Sequence, residues 1–287
     1  MINPERLEIL KRIEQCEKEG NFDTNVENDP PSRVLMPDDI DYLRKKLKNK
    51  VARFFVSRHA EKAMDGLIES NQLIIKEVKG AENLQGIEGS AFITSNHFHP
   101  FENIAIYKTF QKFAPKKKGF YRVIREGNYT APPKGFDQFF KHCNTLPLSS
   151  SPSTMKKFFE ALEVITKKNN YILIYPEQYM WWNYRKPRPF KDGAFKFACK
   201  YNVPVIPCFI TMEDSKEHID GDGLPVQEYT IHIMKPIYKD DSLSIKDAIK
   251  KMKEENFELC KNIYEKTYEK KLEYTTGENK WFQLLSF

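Results

Sequence analysis

A histidine followed by a carboxylate four intervening residues later can build a general base with an orienting acid. Residues 91–106, AFITSNHFHPFENIAI, hold such a pair in His97 and Glu102. A histidine within hydrogen-bond reach of a hydroxyl takes its proton during attack on a carbonyl, an effect worth roughly 10²–10⁴-fold in rate. A carboxylate on the other ring nitrogen holds the tautomer and stabilises the imidazolium. The neighbours supply the placement. Ala91–Thr94 is an apolar run that reads as a buried strand, and residues 95–99 form a polar loop. Pro100 suits a first helical position, which puts Glu102 in the first turn and Ile104, Ala105 and Phe110 on an inward face. Two other readings stand beside this one. Glu102 at a helix start can serve backbone donors alone. His97, His99 and Glu102 can also ligate a metal, as in a metal-dependent hydrolase, although His142, His218 and His232 are isolated and form no second cluster.

Asn96-His97 followed by Glu102 resembles the N-H-x4-D motif of the glycerolipid acyltransferases, the lysophosphatidate acyltransferase superfamily. Three further blocks follow in the family's order. Tyr175-Pro176-Glu177 resembles the start of F-P-E-G-T-R, residues 189–196 (PFKDGAFK) resemble P-F-K-K-G-A-F, and residues 203–207 (VPVIP) resemble V-P-I-V-P. The resemblance spans residues 75–235. It implies an α/β fold of the glycerol-3-phosphate acyltransferase type, with His97 as base and Glu102 as its partner. It also implies that Asn96 and Glu177 serve substrate binding. Acyl-CoA or an acyl carrier protein would be co-substrate with no bound cofactor, and a lysophospholipid, glycolipid or related alcohol would accept the acyl group. The chain departs from the pattern in three places. Glu102 stands for Asp, Gln178-Tyr179-Met180 replaces Gly-Thr-Arg, and residues 146–150 (LPLSS) lack a family arginine. Charge for a phosphate must then come from Arg122, Arg125, Arg185 or Arg188. Otherwise the acceptor carries no phosphomonoester, and Tyr179, Trp181, Trp182 and Tyr184 stack on a sugar or a lipid interface. A non-catalytic lipid-binding relative is the remaining reading.

The chain has 287 residues, 30% charged and 40% hydrophobic, which is enough apolar material for a large packed domain. Its 46 basic and 40 acidic residues give +6, a balance that suits an anionic membrane surface or an acidic acyl donor. No nucleic-acid partner is expected. No apolar run is long enough to span a bilayer, and the N-terminus lacks a signal-type core. The expected location is therefore cytoplasmic, peripheral at the inner membrane face. Cys16, Cys143, Cys199, Cys208 and Cys260 have no paired spacing, which argues against a disulfide framework or a zinc site.

Strand-like and helical stretches alternate, which predicts an α/β domain with a largely parallel sheet flanked by helices. Strands are expected at 72–80, 91–94, 120–124, 171–175, 203–210 and 229–233, with that at 120–124 central. Helices are expected at 1–20, 38–70, from His97 to about Lys112, at 152–168, 193–201 and 244–272. Residues 116–118 read as a basic turn. The organisation expected is a helical extension (1–70), the α/β domain (71–240) and a C-terminal helix and tail (241–287), whose residues 281–287 are apolar. Residues 38–70 also read as a basic amphipathic helix for a membrane surface, through Lys45, Lys46, Lys48, Lys50 and Arg53. Ligands of such sheets bind beyond the carboxyl ends of the strands, where His97 and Glu177 both fall.

Overall fold

The computed structural model describes residues 2–115 and 118–276. Seven strands form one mixed, mostly parallel sheet: β1 (Ile74–Lys79), β2 (Ala91–Thr94), β3 (Gly119–Ile124), β4 (Thr145–Pro147), β5 (Asn170–Ile174), β6 (Val205–Ile219) and β7 (Pro225–Ile233). Their order is β1-β7-β6-β2-β5-β3-β4. β2 lies in the middle, buried at every position because helices cover both faces. Among the seven strands described, the β6–β7 hairpin pairs antiparallel and the other neighbours pair parallel. β3 is not central but sits beside the edge strand β4.

Eight helices accompany the sheet in the described residues. On one face lie α2 (Leu47–Glu69) and α3 (Glu102–Phe113), whose Met64, Ile104 and Phe110 pack with Ile93, Leu173 and Ile210. The other face is covered by α6 (Pro152–Thr166), α7 (Gly193–Tyr201) and α8 (Ile245–Tyr268), through Phe158, Phe195 and Met252 against Phe92, Ile172 and Phe209. α1 (Pro4–Glu19) builds a third, smaller cluster with Trp181 and Trp182. The short α4 (Glu126–Thr130) and α5 (Asp137–His142) lie between β3 and β4. Ser151 caps α6 with Pro152 at its first turn, a sequence-legible start.

Two expected elements differ most. The helix at 38–70 starts only at Leu47, because the Asp41 carboxylate ties down the Lys46 N–H (3.1 Å) and the Asn49 amide (2.9 Å) and closes a turn there. Tyr42 then belongs to the opposite sheet face, where its hydroxyl donates to the Pro147 carbonyl at 2.7 Å. β6 runs on to Ile219 because β7 pairs with it beyond the buried portion. The basic turn at 116–118 and the apolar tail at 281–287 fall wholly or mostly outside the described residues.

Candidate active site

Strand β2 ends at Thr94, and the next residues leave the sheet edge as a pinned loop. The Asn96 amide donates to the Ile210 carbonyl (3.0 Å) and its oxygen accepts from the Ile210 N–H (2.9 Å), so the loop is tied to β6. Helix α3 then begins directly on Glu102. The Glu102 carboxylate is fully buried. One oxygen meets His97 Nδ1 at 2.5 Å and the other accepts from the His99 N–H at 2.7 Å. The Glu102 carboxylate thus meets the imidazole with one oxygen and a backbone donor with the other. The His97 side chain keeps 23% exposure. Tyr175, at the end of β5, stacks on its ring with centroids 4.0 Å apart and planes 10° from parallel. With Nδ1 engaged and one ring face covered, Nε2 is the nitrogen left to meet a substrate hydroxyl.

A second tier holds this loop from behind. The Glu177 carboxylate accepts from the His97 N–H (3.1 Å), the Arg188 N–H (2.9 Å) and the Arg188 guanidinium (3.1 Å). Burial pushes the Glu177 carboxyl up from its ordinary value, opposed by Arg188 and by these N–H groups. Arg188 is itself buried, donates to the carbonyls of Phe22 and Tyr179, and lies over the Trp181 ring at 4.6 Å. Asn96, Glu177 and Arg188 thus spend their polar groups inside the protein. Expected to touch substrate, in this structure they bind the loop that carries His97 and the chain around it.

The other expected residues scatter. Arg125 pairs with Asp29 at 2.8 Å, lies over the Tyr179 ring at 5.7 Å, and lines a cavity of about 320 Å³ with Asn128 and Ser149. Arg185 pairs with Asp214 at 2.7 Å on the far side of the loop. Arg122 is buried on the α3 face of β3. Trp181 and Trp182 are not open stacking platforms. Trp181 is enclosed by Phe22 and Arg188, and the Arg6 guanidinium covers Trp182 at 3.5 Å. Tyr184 packs edge-on against Trp181.

His99 turns away from His97. Its Nδ1 accepts from the Phe101 N–H (3.1 Å) and its ring tilts against Trp182. Burial, reinforced by Arg6, pulls its pKa down to about 3, so it stays neutral. Among the described residues no group of three or more His, Cys, Asp or Glu side chains is arranged to hold a metal.

Three contributors escaped the sequence reading. Tyr175 stands immediately before the Pro-Glu block at a strand end, a position that could have pointed to the site edge. The Phe22 and Thr24 carbonyls, which accept from Arg188 and from Trp181 Nε1, carry no sequence signal at all.

Residues 76–211 match the family model described as Acyltransferase. This segment is an acyltransferase domain. The matched acyltransferase segment runs from β1 into β6 and contains His97, Glu102, Tyr175, Glu177 and Arg188. No curated protein matches the chain. Among solved structures, the chain is similar to the 1-acyl-sn-glycerophosphate (LPA) acyltransferase PlsC of Thermotoga maritima. Identity is 18%, the TM-score is 0.46, and the match covers 75% of this chain and 84% of that one. The acyltransferase domain of the present chain leaves α1, α2, β7 and α8 outside the family match.

Proposed function

We propose that this acyltransferase moves a fatty acyl group from a thioester, acyl-CoA or an acyl carrier protein, to a hydroxyl of a lysophospholipid, glycolipid or related alcohol. The observation that carries this is the 2.5 Å contact between His97 Nδ1 and the buried Glu102 carboxylate at the lip of the sheet. Glu102 holds the imidazole so that Nε2 takes the acceptor's proton as its oxygen attacks the thioester carbonyl. The tetrahedral intermediate then collapses, the C–S bond breaks, and the imidazolium returns the proton to the departing thiolate. The protein thus needs no covalent acyl-enzyme. The reaction takes place at a membrane surface, reached through α2. Its Leu47, Val51, Phe54 and Phe55 are exposed, and Lys48, Lys50, Arg53 and Arg58 stand among them.

The test is thioester consumption by purified protein over a panel of lipid and sugar acceptors, with His97→Ala alongside. Acceptor-dependent thiol release that disappears in His97→Ala supports the reading. Release that needs no acceptor and survives the substitution sinks it.

A further inference from the structure

A cavity of about 460 Å³ borders the loop that carries His97. Its walls come from His99 and Phe101 on that loop, from Trp182 and Asn183, and from Tyr229 and the β6–β7 turn. A volume in the range of roughly 300–1,000 Å³ suits a small organic molecule, and one ion or water would leave most of it unfilled. The walls are braced. The Asn3 N–H donates to the Asp222 carbonyl at 2.8 Å, the Arg6 guanidinium pairs with the Asp222 carboxylate at 3.0 Å, and the same guanidinium covers the Trp182 ring at 3.5 Å. Helix α1 thereby ties the β6–β7 turn to the segment after β5. Both α1 and β7 lie outside the family match.

The polar groups of these walls are neutral and unsatisfied. His99 Nδ1 accepts from the Phe101 N–H at 3.1 Å, so the ring proton sits on Nε2. Among the described residues, neither this Nε2 nor the Tyr229 hydroxyl has a hydrogen-bond partner. Trp182 Nε1 and Asn183 Oδ1 are buried without one. The four cover both roles: His99 and Trp182 donate, Asn183 accepts, and a tyrosine hydroxyl does either. Buried polar groups left unpaired are costly, and a ligand that pairs with them removes that cost.

Charge narrows the class. The Arg6 guanidinium is held by Asp222 and, at 3.3 Å, by Glu27, and no other Lys or Arg side chain stands at the described walls. Asp220 adds a carboxylate there, one oxygen of which accepts from the Asp222 and Leu224 N–H groups at 2.9 and 2.8 Å. A phosphate or carboxylate thus finds no free cation. A cation meets the His99 and Trp182 N–H donors with Arg6 beside them. What fits is an uncharged ligand whose groups both donate and accept. Hydroxyls spaced around a saturated ring do so, and the C–H faces of that ring suit Pro100, Phe101 and Val226.

We propose that this cavity binds a sugar or inositol ring, with His99 and Tyr229 as hydrogen-bonding residues. The ring is either free or the headgroup of a lipid. The test has a binding arm and a source arm, each on the full chain as wild type, His99→Phe and Tyr229→Phe. In the binding arm, the Tm is read with glucose, galactose, N-acetylglucosamine or myo-inositol at about 10 mM, too dilute for stabilisation by exclusion from the surface. Choline chloride and sodium phosphate are the charged controls. At least one ring compound is expected to raise the Tm of wild type by about 2 °C or more, and that of each variant by less than about half as much. Should His99→Phe fail to fold, Tyr229→Phe and Trp182→Phe carry both arms. The proposal is overturned if no ring compound shifts wild type, if every folded variant responds as wild type does, or if a charged control gives the larger shift.

The source arm rests on acyl transfer at His97. It compares kcat/KM for a monoacyl glycolipid and for lysophosphatidate with one acyl-CoA. A ring carried by the acceptor lowers the glycolipid-to-lysophosphatidate ratio about 5-fold or more in the variants, whereas a free ring leaves it within about twofold of wild type. If wild type acylates neither acceptor, the acyl-transfer reading fails, and the binding arm alone decides the cavity.

Discussion

Glu102 divides its carboxylate between an imidazole and a backbone N–H, and both contacts are short: 2.5 Å to His97 Nδ1 and 2.7 Å to the His99 N–H. Glu102→Gln keeps the shape and removes the charge that stabilises the imidazolium. Its kcat for acyl transfer should fall about 10²–10⁴-fold with little change in KM, and a loss confined to KM would speak against base catalysis. Glu102→Asp keeps the charge but withdraws it by one C–C bond from a helix start that is fixed by packing. A drop of about 10²-fold is expected, because small misplacements of a catalytic contact are expensive; an unimpaired Asp variant would show that the loop adjusts. Behind the loop, Arg188 and Glu177 are buried almost completely. Arg188→Met strands the carboxylate and should cost about 3–5 kcal/mol of unfolding free energy, whereas the double change Arg188→Met with Glu177→Leu should recover part of it. Denaturant titration reads both. A double variant less stable than the single one would mean that the His97 N–H contact outweighs the stranded charge. The His97–Glu102 pair was legible in the sequence because one strand end and one helix start enclose it. The Glu177–Arg188 pair was not. The two residues are joined by an irregular loop, with Gln178 and Asn183 at φ 68° and 50°, whose path no periodicity encodes.

At the scale of elements, the family blocks fall on rigid pieces: β2 with the start of α3, the end of β5, α7, and the start of β6. Their apolar periodicity made them readable, and α7 spans the residues expected of it. Reading failed where a residue's face is decided by distant chain. Tyr42 fits the helical spacing of its neighbours, yet it packs against Phe158 on the opposite side of the sheet. β6 outruns its apolar stretch because β7 supplies the backbone partners. The same helical spacing leaves two rings on α2 that internal packing does not claim. Phe54 and Phe55 are 57% and 66% exposed, with their rings 5.3 Å apart, and the Arg58 guanidinium lies 5.6 Å from the Phe54 ring. Replacing both by Ser should lower partition onto vesicles containing anionic lipid by about 10-fold, through lost apolar burial. It should leave the thermal midpoint close to wild type, since neither ring is part of the core. Partition should also weaken as salt screens the lysines and arginines of the helix. Equal vesicle binding by wild type and the double variant would remove α2 from the membrane contact.

For the whole molecule, covering both sheet faces fixes the strand edge on which the site is built, and it also buries titratable groups away from that site. His232 lies in β7, between β1 and β6, with Nε2 3.0 Å from the Thr211 hydroxyl. Burial, then Lys79, pulls its pKa down from 6.5 to about 4. His99 is depressed in the same direction, chiefly by burial. The unfolded chain takes up a proton at such a site near pH 6.5, while the folded chain does so only near pH 4. Unfolding therefore binds protons across that window, and stability rises with pH. The contribution of His232 is fully present above pH 6.5 and is lost as the pH falls toward 4, by about 2 kcal/mol between pH 7 and pH 5. Urea titrations at those two pH values should show that loss. In His232→Gln, which cannot gain a charge, the difference between the two pH values should shrink by about the same amount. An unchanged difference would mean that the His232 imidazole is already protonated within the fold, and that its contact with Thr211 is made as a donor from a charged ring.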